Sequence, residues 1–103
     1  MTMENEAKRK LDFLKKKTDE VIDEQIRLSA SNGKVIDLPD TLFLYTFLAV
    51  EYTSKAVVAQ YFGTEESTVD SFCEAVRYSI YFHKTHKKIY NEIKNRFDKE
   101  YGK

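Results

Sequence analysis

A largely apolar seam recurs at alternating steps of four and three from the start of the chain: Ala7, Leu11, Leu14, Thr18, Val21, Gln25 and Leu28, with Ile22 and Ile26 widening the stripe. Lys8, Arg9, Lys15, Asp19 and Asp23 occupy the other side. That is the 3.6-residue period of an amphipathic helix, and it predicts helix over 3–32, closed by Gly33 after Asn32. Thr18 and Gln25 interrupt the apolar seam, so a long self-standing coiled coil is not expected. Val35-Ile36-Asp37-Leu38-Pro39-Asp40 is the main connector. Asp37 is the expected cap of the next helix, with Pro39 and Asp40 in its first turn, where a missing donor and a negative charge are tolerated.

The second helix is expected over about 38–62. Leu42, Phe43, Leu44, Tyr45, Phe47, Leu48, Val50, Tyr52, Val57, Val58, Tyr61 and Phe62 leave it little polar surface. A helix apolar nearly all round is covered by others. Thr53 or Ser54 offers a cap for a fresh start inside it. Beyond Gly63, Thr64 is the expected cap of a helix opening at Glu65. Val69, Phe72, Val76, Ile80, His83, Tyr90, Ile93, Phe97 and Tyr101 then recur at helical steps almost to the end. One helix there would run about 36 residues and about 54 Å. The stripe weakens across His83–Lys88, which predicts a kink or break near Thr85.

Val58-Ala59-Gln60-Tyr61-Phe62-Gly63-Thr64-Glu65-Glu66-Ser67-Thr68-Val69, with Phe72 beyond, has the spacing of a helix-turn-helix. Ala59 lets two helices approach, Gly63 takes the left-handed turn, and Val69 and Phe72 anchor the second helix on the first. Residues 55–77 therefore resemble the helix-turn-helix element shared by many unrelated regulators. The resemblance covers about 20 of 103 residues and implies a second helix that reads DNA. On that reading Ser67, Thr68 and Ser71 contact bases or phosphates, and Lys84, Lys87 and Lys88 supply phosphate contacts. The charges run against it. Glu65, Glu66, Asp70 and Glu74 precede the first base, Arg77, where phosphate contact needs positive charge. Thr64 also stands where such turns usually carry an aliphatic residue.

Formal charge is zero but unevenly spread. From Asp37 to Glu74 seven carboxylates face Lys55 alone, and from Lys84 to Lys103 seven bases face three carboxylates. An acidic middle and a basic tail can attract each other within one chain or between two copies.

The chain has 103 residues, 42% of them hydrophobic, with seven Phe and seven Tyr, one Pro and three Gly. One domain over 1–103 follows, with core material enough for a modest interior and few helix breakers. A single cysteine excludes an internal disulfide framework. With no apolar signal region at Met1–Glu6 and no apolar run near the roughly 20 residues of a membrane helix, the expected setting is cytoplasmic, without membrane contact.

Candidate chemistry is sparse. His83 and His86 share one helix face at a spacing that can hold a metal, but no cysteine or carboxylate cluster completes a ligand set nearby; metal is assigned to none. Cys73, beside the core stripe, is expected to be a buried, inert thiol, and a sensor built on His83, His86 and Cys73 is the weakest reading. No phosphate-cradling loop, nucleophile elbow or carboxylate constellation is present. No catalytic residue and no cofactor is assigned, and an enzyme is not expected. The aromatic content exceeds what one small core needs. Tyr78, Tyr81 and Phe82 surround the core positions Val76 and Ile80, and aromatic residues are enriched at interface centres.

The sequence thus predicts an all-α bundle of three long helices, or four or five where the second and third are broken. The leading expectation is a non-enzymatic regulatory protein that acts by binding another protein, as a homodimer, through Tyr78, Tyr81, Phe82, Asp70 and Glu74. The alternative is a helix-turn-helix transcription regulator.

Overall fold

The computed structural model describes residues 3–101. Met1, Thr2 and Lys103, which entered the readings of the N-terminus and the basic tail, lie outside them. Five helices follow one another: α1 (Met3–Asn32), α2 (Thr41–Tyr52), α3 (Lys55–Phe62), α4 (Glu66–Phe82) and α5 (Lys84–Tyr101). The fold is an all-α bundle, and there is no strand among the described residues. Both long helical stretches beyond the connector are broken.

The breaks have local causes. Thr53 closes α2, its hydroxyl donating to the Ala49 carbonyl at 2.6 Å, and Ser54 opens α3 by accepting from the Val57 amide at 3.2 Å. Two adjacent hydroxyl residues thus satisfy the orphan groups of both helix ends. Gly63 sits at φ 66°, ψ 39°. The Thr64 amide reaches back to the Ala59 carbonyl at 2.9 Å, the six-to-one bond of a glycine-closed helix end. That bond corrects the role expected of Thr64, because its amide finishes α3 while Glu65 takes the N-cap of α4 without a side-chain cap bond. At His83 the backbone is extended and its amide still bonds the Ser79 carbonyl at 2.9 Å, so α4 ends there and α5 starts one residue on.

The connector needs a second correction. Asp40, not Asp37, caps α2, accepting from the amides of Leu42 at 2.9 Å and Phe43 at 3.3 Å. Pro39 therefore precedes the helix, its fixed φ holding the approach extended. Asp37 is freed to reach across to α5.

α1 and α5 run antiparallel. Lys17 donates to Glu100 at 2.7 Å, and Arg96 makes a two-pronged pair with Glu24. α2 packs against α1, α3 and α4 as expected of its all-round apolar surface. The Tyr45 hydroxyl donates to the Leu11 carbonyl at 2.9 Å, and Phe43 lies 4.6 Å from Phe72. Leu11, Leu14, Leu44, Leu48, Val58, Val69 and Ile93 are fully covered. The molecule measures 47 × 31 × 19 Å, so α1 spans its length in a body about two helices thick.

The apolar pattern matches the interior with six exceptions: Leu42 at the start of α2 and Tyr61 and Phe62 at the end of α3 lie exposed, as do three others. Ile26 and Leu28 are exposed, because the last turns of α1 run past the helices it packs on. His83 is exposed at the break. Beyond it the register shifts, so His86, Ile89, Ile93 and Phe97 form the buried stripe of α5.

Candidate interaction face on helix α4

α4 buries Val69, Cys73 and Val76, with Ile80 half-buried behind them. At 100° per residue the opposite side carries Ser67, Asp70, Ser71, Glu74, Tyr78, Tyr81 and Phe82, all exposed. The residues expected to meet a protein and two of those expected to meet DNA therefore share one face. Its first half is polar and acidic, and its second half is aromatic. Thr68 lies off this face and is half-buried. Lys84, Lys87 and Lys88 sit on α5, beyond the break, exposed and without an ion pair among the described residues.

The aromatic end is exposed, as the sequence predicts. Tyr78 is 67%, Tyr81 82% and Phe82 59% exposed. Ring centroids of Tyr78 and Phe82 lie 4.5 Å apart, and those of Tyr81 and Phe82 5.0 Å, so the three form one cluster. The remaining aromatics are largely used by the fold. Phe13, Tyr52, Phe97 and Tyr101 pack together between α1, α2 and α5, and Phe47 meets Tyr90 at 5.7 Å. Tyr45, Tyr52, Tyr61 and Tyr90 donate their hydroxyls to Leu11, Asp98, Asp12 and Glu51. Burial pushes the phenols of Tyr45, Tyr52 and Tyr90 well above their ordinary range. Tyr78 and Tyr81 have no hydroxyl partner among the described residues.

The acidic half is only partly satisfied within the chain. Lys55 at the start of α3 holds Asp70 at 3.1 Å, and this hydrogen bond raises the lysine's own pKa. Glu65, Glu66 and Glu74 have no ion pair among the described residues. Ser71 donates to the Ser67 carbonyl at 3.1 Å and Ser67 approaches the Glu65 carboxylate at 3.4 Å, so both hydroxyls already serve their own helix. Arg77, the first base along α4, lies over the Phe47 ring at 5.8 Å. Among the described residues, a base of the tail pairs with a carboxylate of the acidic middle at one point, Lys94 with Glu51 at 3.2 Å.

The two histidines take unequal places. His86 is buried. Its Nε2 lies 3.0 Å from the Asp37 carbonyl and its Nδ1 bonds the Ser79 hydroxyl. The Asp37 carboxylate stands 3.7 Å from His83 and 3.6 Å from His86. Together these groups tie the connector to the α4–α5 break. Sequence reasoning missed His86 as a core residue, although its spacing to Ile89, Ile93 and Phe97 carries the signal, and missed Asp37 because its residue type suits a cap equally well. Among the described residues no group of three or more His, Cys, Asp or Glu is arranged to hold a metal. Cys73 is buried, and burial pushes its thiol pKa up, with the Arg77 charge opposing. No described helix is long and apolar enough to cross a membrane.

Comparison with protein-family models, curated proteins and solved structures returns no match to this chain.

Proposed function

We propose that this is a cytoplasmic, non-enzymatic regulatory protein that acts by binding protein through the outward face of α4, and that it works as a homodimer. One observation carries the reading: Tyr78, Tyr81 and Phe82 form an exposed cluster that the fold does not use. At 150–250 Å² for a whole aromatic side chain, the exposed portions amount to roughly 400 Å². An apolar patch of that size is as large as the largest on a typical monomer, and such patches are often functional. Tyrosine suits such a site because its ring is rigid and its hydroxyl tolerates water until a partner arrives.

The second reading, DNA binding, draws on the Gly63 turn and on Ser67 and Ser71 pointing outward. Asp70 and Glu74 stand beside those serines, and every carboxylate on a groove-facing helix opposes phosphate. The lysines that would offset them belong to a different helix. The balance favours protein.

A photo-crosslinking side chain tests the reading. Tyr81→p-benzoylphenylalanine, irradiated in cells that express the protein, should yield discrete adducts heavier than the 12.1 kDa chain that protease removes and nuclease does not. The same group at exposed Asp23 should yield few. Nuclease-sensitive adducts from position 81, or none, would overturn the proposal.

A further inference from the structure

We infer that the occupant of this face is a second copy of the chain, with the two α4 helices crossing antiparallel about a two-fold axis near Tyr78. The inference rests on the protein-contact reading above and names its partner and geometry.

The chemistry along the chain runs acid, aromatic, base. Asp70 and Glu74 precede the aromatic trio on the outward face, and Lys84, Lys87 and Lys88 follow it in the first turns of α5. α5 begins at Lys84, one residue past the break, so the lysines stay at the aromatic end of α4. A two-fold axis lays one end of such a run on the opposite end of its copy. At 1.5 Å per residue, Glu74 stands about 6 Å before Tyr78 along α4, and Lys84 opens α5 two residues past Phe82, the last residue of α4. Across the axis, the carboxylate of one copy therefore comes within reach of the ammonium groups of the other, while each aromatic trio meets its counterpart. A parallel pairing would set acid on acid.

Charge also separates this occupant from others. Glu74 and the three lysines have no ion pair among the described residues. A cationic partner would leave the lysines unmatched, and a polyanion would leave the carboxylates unmatched. A second copy matches both. The roughly 400 Å² of exposed aromatic surface per copy is about half of what one side of a stable interface buries, and the flanking charges and serines supply the rest. Such an interface should hold in the micromolar range.

Sedimentation equilibrium from about 1 to 300 µM, a span that brackets micromolar association, tests the pairing. The native chain should be a dimer with micromolar Kd. Tyr81→Ser, a change at a side chain that touches little else, should weaken it at least tenfold with the circular dichroism spectrum unchanged. Glu74→Lys should weaken it, and so should Lys84→Glu with Lys87→Glu. Mixing those two charge variants should restore association as a heterodimer within a few fold of native, since each then carries what the other lost. A dimer indifferent to Tyr81→Ser and Glu74→Lys, or charge variants that do not rescue each other, would overturn the geometry. A native chain that stays monomeric throughout overturns the second copy as occupant. If position 81 still crosslinks to protein in cells, the protein-contact reading then survives alone. If it does not, both fall.

Discussion

Gly63 sets the angle at which α4 leaves α3, so it governs where the interaction face points. Its φ of 66° lies in the left-handed region, where an L-residue with a Cβ meets its own carbonyl. A Cβ placed there has no other heavy atom within 4 Å, so substitution adds no clash and the whole cost is backbone. Gly63→Ala should therefore destabilise by about 1 kcal/mol, within the 1–2 kcal/mol of the left-handed conformation and after the gain from a stiffer unfolded chain. Gly63→Val, β-branched, should cost more, and Gly63→Asn less, because asparagine tolerates this region. For a domain of this size 1 kcal/mol lowers Tm by about 4–8 °C. Gly33 is the internal control. It has φ 64° and equally open surroundings, but it closes the overhanging end of α1, which can fray without disturbing the core. Gly33→Ala should therefore lower Tm by less than Gly63→Ala. Thermal melts by circular dichroism read all four variants. An unchanged or raised Tm for Gly63→Ala, or a larger loss for asparagine than for alanine, would refute the reasoning.

Three other outcomes follow from packing and charge. Leu48 is fully covered by its neighbours, so Leu48→Ala should cost about 2–5 kcal/mol in chemical denaturation; a loss under 1 kcal/mol would show that α2 is not central. Hydrogen bonds from Arg96 and Lys17 hold the carboxyls of Glu24 and Glu100 below the usual carboxylate range. With folded values below unfolded ones, their stabilisation is complete above the unfolded carboxylate pKa of about 4.3 and disappears as pH falls through the lower, folded values. Glu24→Gln with Glu100→Gln should accordingly flatten the fall in Tm between about pH 5 and pH 3, and an unaltered slope would contradict the α1–α5 seam. Cys73, buried with its thiol pKa pushed up, should react with a disulfide reagent far more slowly in the native state than in denaturant; equal rates would contradict its burial.

The period-3.6 stripe made α1 legible almost to the residue, because one long amphipathic helix needs only its own spacing. The apolar surface of Leu42–Val50 likewise announced a helix packed on several neighbours. Caps were harder. Asp37 and Asp40 carry the same carboxylate three residues apart, and only the fold decides which meets free amides and which meets His86. Thr64 shows the same ambiguity: a hydroxyl residue after glycine suits a cap, but its amide closes α3. The break near Thr85 was visible as a weakened stripe, yet its position at His83 shifted the α5 register and hid His86. Exposure at the α4 face could be anticipated at Tyr78, Tyr81 and Phe82 because they lie off the Val69–Val76–Ile80 line. That Tyr52, Tyr61 and Tyr90 would spend their hydroxyls on Asp98, Asp12 and Glu51 depends on contacts 39 to 49 residues apart, which no local pattern encodes.

The central claim is that the outward face of α4 meets protein and not DNA. A gel shift at about 50 mM salt, where phosphate contacts are strongest, tests it most directly, with micromolar protein against random and genomic duplexes. The account predicts no sequence-selective shift, because Glu65, Glu66, Asp70 and Glu74 oppose the phosphates before any base edge is reached. A selective shift that weakens steeply with salt, falls for all sequences when Lys84, Lys87 and Lys88 become glutamine, and changes its sequence preference in Ser71→Ala would contradict it.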